Sequence, residues 1–472
     1  MKFALACYGS RGDVEPSIAV GRALLHGGHD VRMAVPPDLV GLAESAGLAA
    51  VPYGLETRVW LGAYRKFWTY SFRPLGRTQE LRRLGRELGE VSDQCWAQMS
   101  TTLTSLADGA DLLLSGLGFE ETAANVAEYY DIPLATLHFT PIRVNGRLVP
   151  ILPSPLTRSA TRAYELLCWR LRKKAEDAQR RELGLPKATG PAARRIAERG
   201  SLEIQAYDEV WFPGLAAEWA KWDGQRPFVG PLTMELTTDT DEEVASWVAA
   251  GTPPICFGFG SIPVESAAGT VEMIGAACAQ LGERALVCGG GTDFGHVAHL
   301  DYVKVVGALN YAAAFPACRA VVHHGGAGTT AAGLRAGAPT LILSTDLDQA
   351  LWGARVKRLK VGTARRLSTI TRESLIADLR RILAPQYVSR AREIATRMTE
   401  PAENVAIAAD LVEHFARSQV IVADRRTGPP ARRSTAPAVA LCAPPSRRTT
   451  DRDLSQCWKP RGCPSHSSCR IR

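Results

Sequence analysis

The chain has 472 residues, of which 46% are hydrophobic and 22% charged, with a formal net charge of +8 at pH 7. This length favours two domains of roughly 200 residues each, and the composition excludes a disordered or fibrous chain. No segment approaches the run of about 18 apolar residues that spans a bilayer, and the apolar start before Arg11 is too short for a secretory signal. We therefore expect a cytoplasmic protein.

The excess of basic residues is confined to the C-terminus. Of the 56 Lys and Arg and the 48 Asp and Glu, 11 and 3 respectively follow Val420, which leaves 45 of each in residues 1–420. This neutral body gives no indication of a nucleic-acid-binding face. From about Arg417 the apolar periodicity gives way to Arg, Pro, Ser and Thr, which predicts a disordered basic tail over 417–472. Before it, a helix around Glu403–Phe415 is predicted to pack back across the domains.

Short apolar runs alternate with helical patterns along the body, which is typical of parallel sheets covered by helices. The pattern loosens between Pro213 and Thr252 and then restarts, so we predict an α/β protein with two doubly wound, Rossmann-like domains, 1–235 and 236–416. A helix is predicted over Pro16–His26. The strands predicted for the first domain are Phe3–Cys7, Val31–Val35, Leu112–Ser115, Leu134–His138 and Val210–Phe212. Those predicted for the second domain are Ile255–Phe259, Ala285–Cys288, Val303–Val306, Ala320–His323 and Thr340–Leu343.

Ligands of such sheets bind beyond the carboxyl ends of the strands, so the two domains are expected to face each other across a cleft. The segment Gly9–Pro16 follows the first predicted strand and places small residues before a helix N-terminus, where backbone amides attract anions. Its Asp13 has two interpretations. It is either the N-cap of the helix or a general base that removes a proton from a hydroxyl in the cleft.

A second glycine-rich turn, residues 323–330, follows another predicted strand and reads HHGGAGTT. It exposes several amides at a helix start and offers imidazole donors, which suits a diphosphate. Its glycines do not match the Gly-x-Gly-x-x-Gly fingerprint of dinucleotide-binding domains. The alternative is a tight turn with two buried histidines.

A third candidate segment, residues 344–349, reads STDLDQ and follows the strand predicted to end at Leu343. A carboxylate beside an amide, Asp348 with Gln349, can hydrogen-bond the vicinal hydroxyls of a sugar. Capping of the following helix is the alternative role for Asp348. Asp346 and Asp348 also match the Asp-x-Asp pair that holds a metal-bound nucleotide, although so short a match arises readily by chance.

These three segments, with the Trp-x-x-Arg-Val that follows Gln349, resemble the family 1 glycosyltransferases of the GT-B type, which have two Rossmann-like domains. The resemblance is strongest to the bacterial branch that glycosylates antibiotics, glycopeptidolipids and sterols, and it covers about residues 1–416. It implies inverting transfer of a hexose or deoxyhexose from a UDP- or dTDP-sugar to a hydroxyl of a hydrophobic acceptor. It implies no cofactor and no required metal.

The resemblance also implies roles for individual residues. Asp13 matches the general base, and Asp348 and Gln349 match the pair that holds the donor sugar. The residues implied at the donor diphosphate are Ser10, Ser261, His323, His324, Gly325, Gly326, Gly328 and Thr329. The sequence departs from the family in three places. Residues 331–333 read AAG where many plant members carry a ribose-binding Glu, Asp346 adds a carboxylate beside the sugar pair, and the tail beyond Arg417 does not match the family.

An aromatic segment over residues 60–72, interleaved with Arg and Lys, indicates where the acceptor binds. Among its side chains we assign Trp60, Phe67 and Trp68 to acceptor binding. One interpretation is an amphipathic flap over a hydrophobic acceptor, in peripheral contact with the inner face of a membrane; ordinary helix packing is the other.

Two other functions compete with the transferase. A non-catalytic or inactive sugar-nucleotide-binding homologue would keep the fold, but the intact Asp13 and 323–330 turn argue against it. A dinucleotide-dependent oxidoreductase would share the sheets, but neither domain carries the glycine fingerprint with its ribose-binding acid.

Overall fold

The computed structural model describes residues 1–71, 78–149, 152–234, 238–260, 266–290 and 300–426. Within these ranges two six-stranded sheets form the framework, and every pair of neighbouring strands is parallel. Both sheets belong to one compact unit, Met1–Arg425. The predicted α/β class with two doubly wound sheets is confirmed. Most of the predicted tail lies outside the described residues.

The first sheet has the strand order β3-β2-β1-β4-β5-β6, so its topological switch point lies between β1 and β4. Its strands are β1 Lys2–Ala6, β2 Asp30–Val35, β3 Ala49–Pro52, β4 Leu112–Ser115, β5 Leu134–His138 and β6 Leu202–Gln205. The helices of this half are α1 Arg11–His26, α2 Val40–Ser45, α3 Thr57–Ser71, α4 Thr78–Leu106, α5 Glu120–Tyr130, α6 Ser154–Glu182, α7 Ala192–Glu198 and α8 Leu215–Glu218.

The second sheet repeats this topology with the order β12-β11-β10-β7-β8-β9, which places its switch point between β7 and β10. Its strands are β7 Ile255–Gly258, β8 Ala285–Cys288, β9 Val303–Val306, β10 Ala320–His323, β11 Thr340–Ser344 and β12 Gly362–Arg366. The helices of this half are α9 Asp241–Ala249, α10 Ala267–Leu281, α11 Tyr311–Ala314, α12 Ala327–Arg335, α13 Leu347–Leu359, α14 Arg372–Ile382, α15 Pro385–Ala395 and α16 Pro401–Arg426.

Nine of the ten predicted strands are present in the structure to within a residue at either end. The prediction of a strand over Val210–Phe212 is wrong, because Glu209–Trp211 is a 3-10 turn. The side chains of Trp211 and the following Phe212 pack between the two halves. The sequence analysis missed β3, β6 and β12.

Aromatic residues that follow the first sheet pack against α13 of the second half. The ring centroid of Trp352, a fully buried residue, lies 5.1 Å from that of Trp211 and 5.8 Å from that of Phe212. The Arg355 Nη2 donates to the carbonyl oxygen of Leu148 at 2.8 Å, and its guanidinium lies 4.2 Å from the Phe212 ring centroid. These contacts fix α13 against the segments that flank the first sheet.

The last helix returns to the first half, as predicted. Its residues Ala408, Val412 and Ala416 are buried in the hydrophobic cluster that contains the inner faces of β1 and α1. The His29 Nε2 and a Glu413 carboxylate oxygen lie 3.2 Å apart and tie α16 to the same half. The helix ends at Arg426, beyond the predicted start of the tail at Arg417. Among the described helices, none is long and apolar enough to cross a membrane.

Candidate active site

The first motif lies at the carboxyl end of β1, at the switch point of the first sheet. Helix α1 begins at Arg11, earlier than the predicted Pro16, and Ser10 is its N-cap. Asp13 occupies the third helical position, where its Oδ2 accepts hydrogen bonds from the Ser10 backbone N–H at 2.6 Å and the Ser10 hydroxyl at 2.8 Å. The prediction that Asp13 could be the N-cap is therefore wrong; it is the acid that completes a capping box. The hydroxyl of Ser10, which resemblance assigned to the donor diphosphate, is engaged with Asp13.

Gly9 allows this carboxylate to approach the backbone. Its φ is +139°, and a Cβ at this position would lie 2.4 Å from Asp13 Oδ2. The Thr57 hydroxyl donates to the Gly9 carbonyl oxygen at 3.0 Å, and the Thr57 N–H donates to Asp38 Oδ1 at 2.9 Å. Thr57, the first residue of α3, therefore fixes the position of the Gly9 loop against which Asp13 packs.

The electrostatics of Asp13 connect the two halves. Burial raises the pKa of Asp13 above the usual value for a carboxyl group, the hydrogen bonds from Ser10 lower it, and the Asp346 carboxylate raises it further. Because Asp346 lies beyond β11, this interaction joins the carboxyl ends of the two sheets. A carboxylate with a raised pKa is a better proton acceptor than an ordinary one.

The second motif begins at the end of β10, where the His323 side chain is 1% exposed. Its Nδ1 accepts a hydrogen bond from the Gly325 N–H at 3.0 Å. Burial holds the pKa of His323 well below its usual value, and His324 lowers it further, so the ring is neutral and its proton is on Nε2. Among the described residues this buried Nε2 has no hydrogen-bond partner. An unsatisfied N–H donor therefore lies at the start of α12.

Two glycines, one in the loop after β7 and one in the loop after β10, lie against the ring of His324. A Cβ at Gly260, which follows β7, or at Gly326 would lie 2.7 Å from a ring atom of His324. Burial lowers the pKa of His324 to about 4, so this imidazole is neutral near pH 7. The tight-turn interpretation thus describes His324 well. Ser261 lies outside the described residues.

The remaining residues of the turn lead into α12. Gly325 has a φ of +100°, and a Cβ there would lie 2.8 Å from Ile342 on the neighbouring β11. Gly326 is the N-cap, Gly328 is exposed and Thr329 is half-buried. The first turn of α12 thus combines small residues with backbone N–H groups that lack intrahelical partners.

The third motif caps α13. The Asp346 Oδ1 accepts a hydrogen bond from the Gln349 N–H at 3.0 Å, so the cap is Asp346 and the capping role suggested for Asp348 is wrong. The Gln349 Oε1 accepts from the Thr345 N–H at 2.7 Å and from the Thr345 hydroxyl at 3.0 Å. These bonds fix the amide of Gln349, whereas Asp348 is exposed.

Three carboxylates share one electrostatic environment. The pKa of Asp348 is raised to about 7 by desolvation and then by the carboxylates of Asp346 and Asp13. Burial also raises the pKa of Asp346, whereas the Arg65 guanidinium lowers it. Among the described residues, no group of three or more His, Cys, Asp or Glu is arranged to hold a metal ion.

Helix α3 faces the motifs of the second half. The pKa of Tyr64 is raised to about 12 by burial and then by the carboxylates of Asp346 and Asp348, and Arg65 acts on His324 as well as on Asp346. The sequence analysis included Tyr64 and Arg65 in the aromatic segment 60–72 but predicted no interaction of either residue with the carboxylates of the second half. The four-residue spacing of Trp60 and Tyr64 was the available signal, because it places both on one helix face.

The aromatic residues assigned to the acceptor have different surroundings. Trp60 stacks on Tyr64 with ring centroids 5.1 Å apart, and its Nε1 donates to the Ser92 hydroxyl at 3.2 Å. A Cβ at Gly85 on α4 would lie 3.5 Å from the Phe67 ring, so Phe67 packs between helices. The side chain of Trp68 lies outside the described residues. Trp60 and Tyr64 therefore form a stacked aromatic pair on α3. Phe67 supports the packing of α3 on α4.

Comparisons with known proteins identify the family of this chain. Residues 289–414 match the protein-family model described as erythromycin biosynthesis protein CIII-like, C-terminal domain. An uncharacterized glycosyltransferase of Mycobacterium leprae is 57% identical over 418 residues, which cover 88% of this chain and 96% of that protein. This chain belongs to the family 1 glycosyltransferases. A sterol 3-beta-glucosyltransferase of Arabidopsis thaliana is 29% identical, over 87% of this glycosyltransferase and 67% of the plant protein.

Solved structures share the fold of this glycosyltransferase. The kitacinnamycin glycotransferase superposes with a TM-score of 0.64 at 18% identity, over 88% of this chain and 98% of that one. VinC, solved in complex with dTDP, superposes with a TM-score of 0.58 at 18% identity, over 89% of this chain and 100% of that one. The two-sheet architecture is that of the GT-B glycosyltransferases.

Proposed function

We propose that this glycosyltransferase moves a hexose or deoxyhexose from a UDP- or dTDP-sugar to a hydroxyl of a hydrophobic acceptor such as a glycopeptidolipid, sterol or polyketide, with inversion at the anomeric carbon. The observation that carries the proposal is the electrostatic interaction of Asp13 with Asp346 and Asp348 across the two sheets. It means that a proton acceptor from one half lies near the residues from the other half that match the sugar-binding pair.

In the proposed reaction, the Asp13 carboxylate takes the proton of the acceptor hydroxyl while the hydroxyl oxygen attacks the anomeric carbon. The bond between that carbon and the diphosphate oxygen breaks, and its electron pair leaves with the diphosphate. Because attack and departure occur on opposite faces in a single displacement, the configuration inverts. The hydrogen bonds from Ser10 to one Asp13 oxygen orient the other toward the acceptor.

The second half would bind the donor. The His323 Nε2–H and the free amides at the start of α12 are neutral donors that suit the oxygens of a diphosphate, and they stabilise it more as negative charge develops on departure. Asp348 and the fixed amide of Gln349 would hold sugar hydroxyls. Neither step uses a metal ion or a cofactor.

The acceptor and donor classes draw support from relatives. The plant relative is named a sterol glucosyltransferase, and VinC was solved with dTDP. The stacked pair Trp60 and Tyr64 supplies an aromatic wall beside the carboxylates, which suits a hydrophobic acceptor.

Calorimetric titration of the full chain with UDP, dTDP and NAD in turn tests the proposal without requiring a known acceptor. We expect saturable binding of a nucleoside diphosphate and no binding of NAD. Binding of neither diphosphate would favour an inactive homologue, and selective NAD binding would favour an oxidoreductase.

A further inference from the structure

Helix α6 exposes an apolar surface that the proposed reaction does not use. Leu156, Tyr164, Leu167 and Leu171, which we call the α6 stripe, have exposed fractions of 59%, 59%, 55% and 76%. Their spacing along the sequence places them on one face of the helix. With a rise of 1.5 Å per residue, the stripe is about 22 Å long. Apolar side chains this exposed are ordinary when scattered, but four on one face form a patch that indicates an interaction.

The C-terminal end of α6, beyond the stripe, is held firmly by the protein. The Gln179 Oε1 accepts hydrogen bonds from Trp96 Nε1 at 3.1 Å and from Asn125 Nδ2 at 2.9 Å. Arg180 and Glu128 form an ion pair at 2.8 Å. Because these polar partners are largely buried, the helix cannot turn its stripe inward, and the stripe is a fixed outward surface.

Positive charge accompanies the stripe. Residues 154–174 contain six Lys or Arg and one Glu, although the body of the chain is neutral as a whole. Arg162, Arg170 and Lys174 are exposed on α6. On a helical wheel Lys174 falls at the edge of the stripe, in line with Leu156, and Arg170 lies just beyond that edge, whereas Arg162 lies on the far side of the helix. An amphipathic helix with an apolar face and flanking cations fits an interface between acyl chains and anionic headgroups.

We propose that the α6 stripe and its flanking cations dock this glycosyltransferase onto the surface of an anionic lipid bilayer. A second copy of the chain is a poorer occupant, because pairing two α6 helices would bring like charges together. The C-terminal sequence is also a poor cover, since residues after Val420 carry a net charge of +8, from 11 basic and 3 acidic residues. This inference stands independently of the proposed reaction.

Vesicle co-sedimentation of the full chain tests the proposal. We expect binding to vesicles of phosphatidylcholine with phosphatidylglycerol, weaker binding at high salt, and little binding to phosphatidylcholine alone. The double variant Leu167→Gln/Leu171→Gln should reduce binding to the anionic vesicles at least about tenfold. The variant Arg170→Gln/Lys174→Gln, at the two cations beside the stripe, should reduce binding and make it less dependent on salt.

A matched control uses exposed apolar residues elsewhere. Tyr129 and Ile407 are 44% and 41% exposed, so Tyr129→Gln/Ile407→Gln should bind vesicles as the unmodified protein does. Equal thermal unfolding and nucleoside diphosphate affinity would show that all variants are folded. The proposal fails if the unmodified protein ignores anionic vesicles or if the stripe variant binds them like the control. Light scattering that reveals a dimer dissociated by the stripe variant would assign the surface to a second copy instead.

Discussion

The carboxyl ends of the two sheets present different chemistry. At the first, Asp13 is an acid with one oxygen held by two hydrogen bonds from Ser10. At the second, His323 is a neutral ring with one nitrogen satisfied by Gly325 and the other without a partner among the described residues. The same topology thus carries an oriented proton acceptor on one side and neutral hydrogen-bond donors on the other. Substitutions on each side should therefore change different steps.

The largest effect is expected for Asp13→Asn. The amide cannot take the acceptor proton, so sugar transfer should fall by about 10² to 10⁴-fold, whereas nucleoside diphosphate affinity should change by less than about twofold. Initial rates and calorimetry measure the two quantities. Asp30→Asn, at an exposed acid of β2, is the control. Near-normal turnover in Asp13→Asn would leave Asp13 with a structural role alone.

A smaller loss of transfer is expected for Gly9→Ala. The new Cβ would collide with Asp13 Oδ2 at 2.4 Å and displace the carboxylate, which should lower the transfer rate about 10 to 10²-fold. Gly47→Ala is matched to it, because Gly47 also has a positive φ, +84°, but nothing lies within 4 Å of its Cβ position. Equal rates in the two variants would show that backbone strain, and not the position of Asp13, controls activity.

On the other side of the comparison, His323→Ala should weaken nucleoside diphosphate binding about tenfold, the effect of one hydrogen bond to a charged group. Since the pKa of His323 lies well below its usual value, binding should show no step from this ring between about pH 6 and 8. Calorimetry at both pH values measures this. The exposed His26 provides the control His26→Ala. Unchanged affinity in His323→Ala would remove His323 from the donor site.

The smallest effect concerns stability. The folded state raises the pKa of Asp348 to about 7, so the stabilising contribution of its protonated form is present at low pH and is lost as the pH rises through 7. Asp348→Asn should therefore gain stability relative to the unmodified protein between about pH 5 and 8, by about 1 kcal/mol or less because solvent screens this open side chain. Urea unfolding at about pH 5 and pH 8 measures this gain in the free energy of unfolding. A difference between variant and unmodified protein that does not change with pH would contradict the repulsion of Asp348 by Asp346 and Asp13.

The sequence predicted the apolar strands well and the strands that contain polar or charged residues poorly. Strands such as β4 and β10 are runs of Leu and Val buried on both faces, which single them out. In contrast, β12 reads GTARR along an exposed edge, and β6 carries Glu203 and Gln205. Those two side chains are buried because Arg143 and Arg226 pair with Glu203 and Tyr207 donates to Gln205. The periodicity of apolar residues along a short segment cannot predict ion pairs between side chains that are distant in the sequence.

The candidate site shows a similar division. The positions of Asp13 and His323 near the carboxyl ends of β1 and β10 followed from the apolar runs before them. The sequence did not reveal which residue caps each helix, because Ser10 competes with Asp13, and Asp346 with Asp348, within three positions of one another. Nor did it reveal Tyr64 and Arg65, whose relation to the second half depends on how α3 lies in the folded chain.

The return of α16 to the first half has a consequence for synthesis on the ribosome. Ala408, Val412 and Ala416 pack in the same hydrophobic core as Phe3 and Leu5. Residues synthesised near the start of translation therefore complete their packing only when residues near the end have been synthesised. The second half, whose sheet lies between them in the chain, can close its own core first. The half made first therefore acquires its full packing last, and a nascent chain released before α16 emerges would leave part of this apolar cluster uncovered.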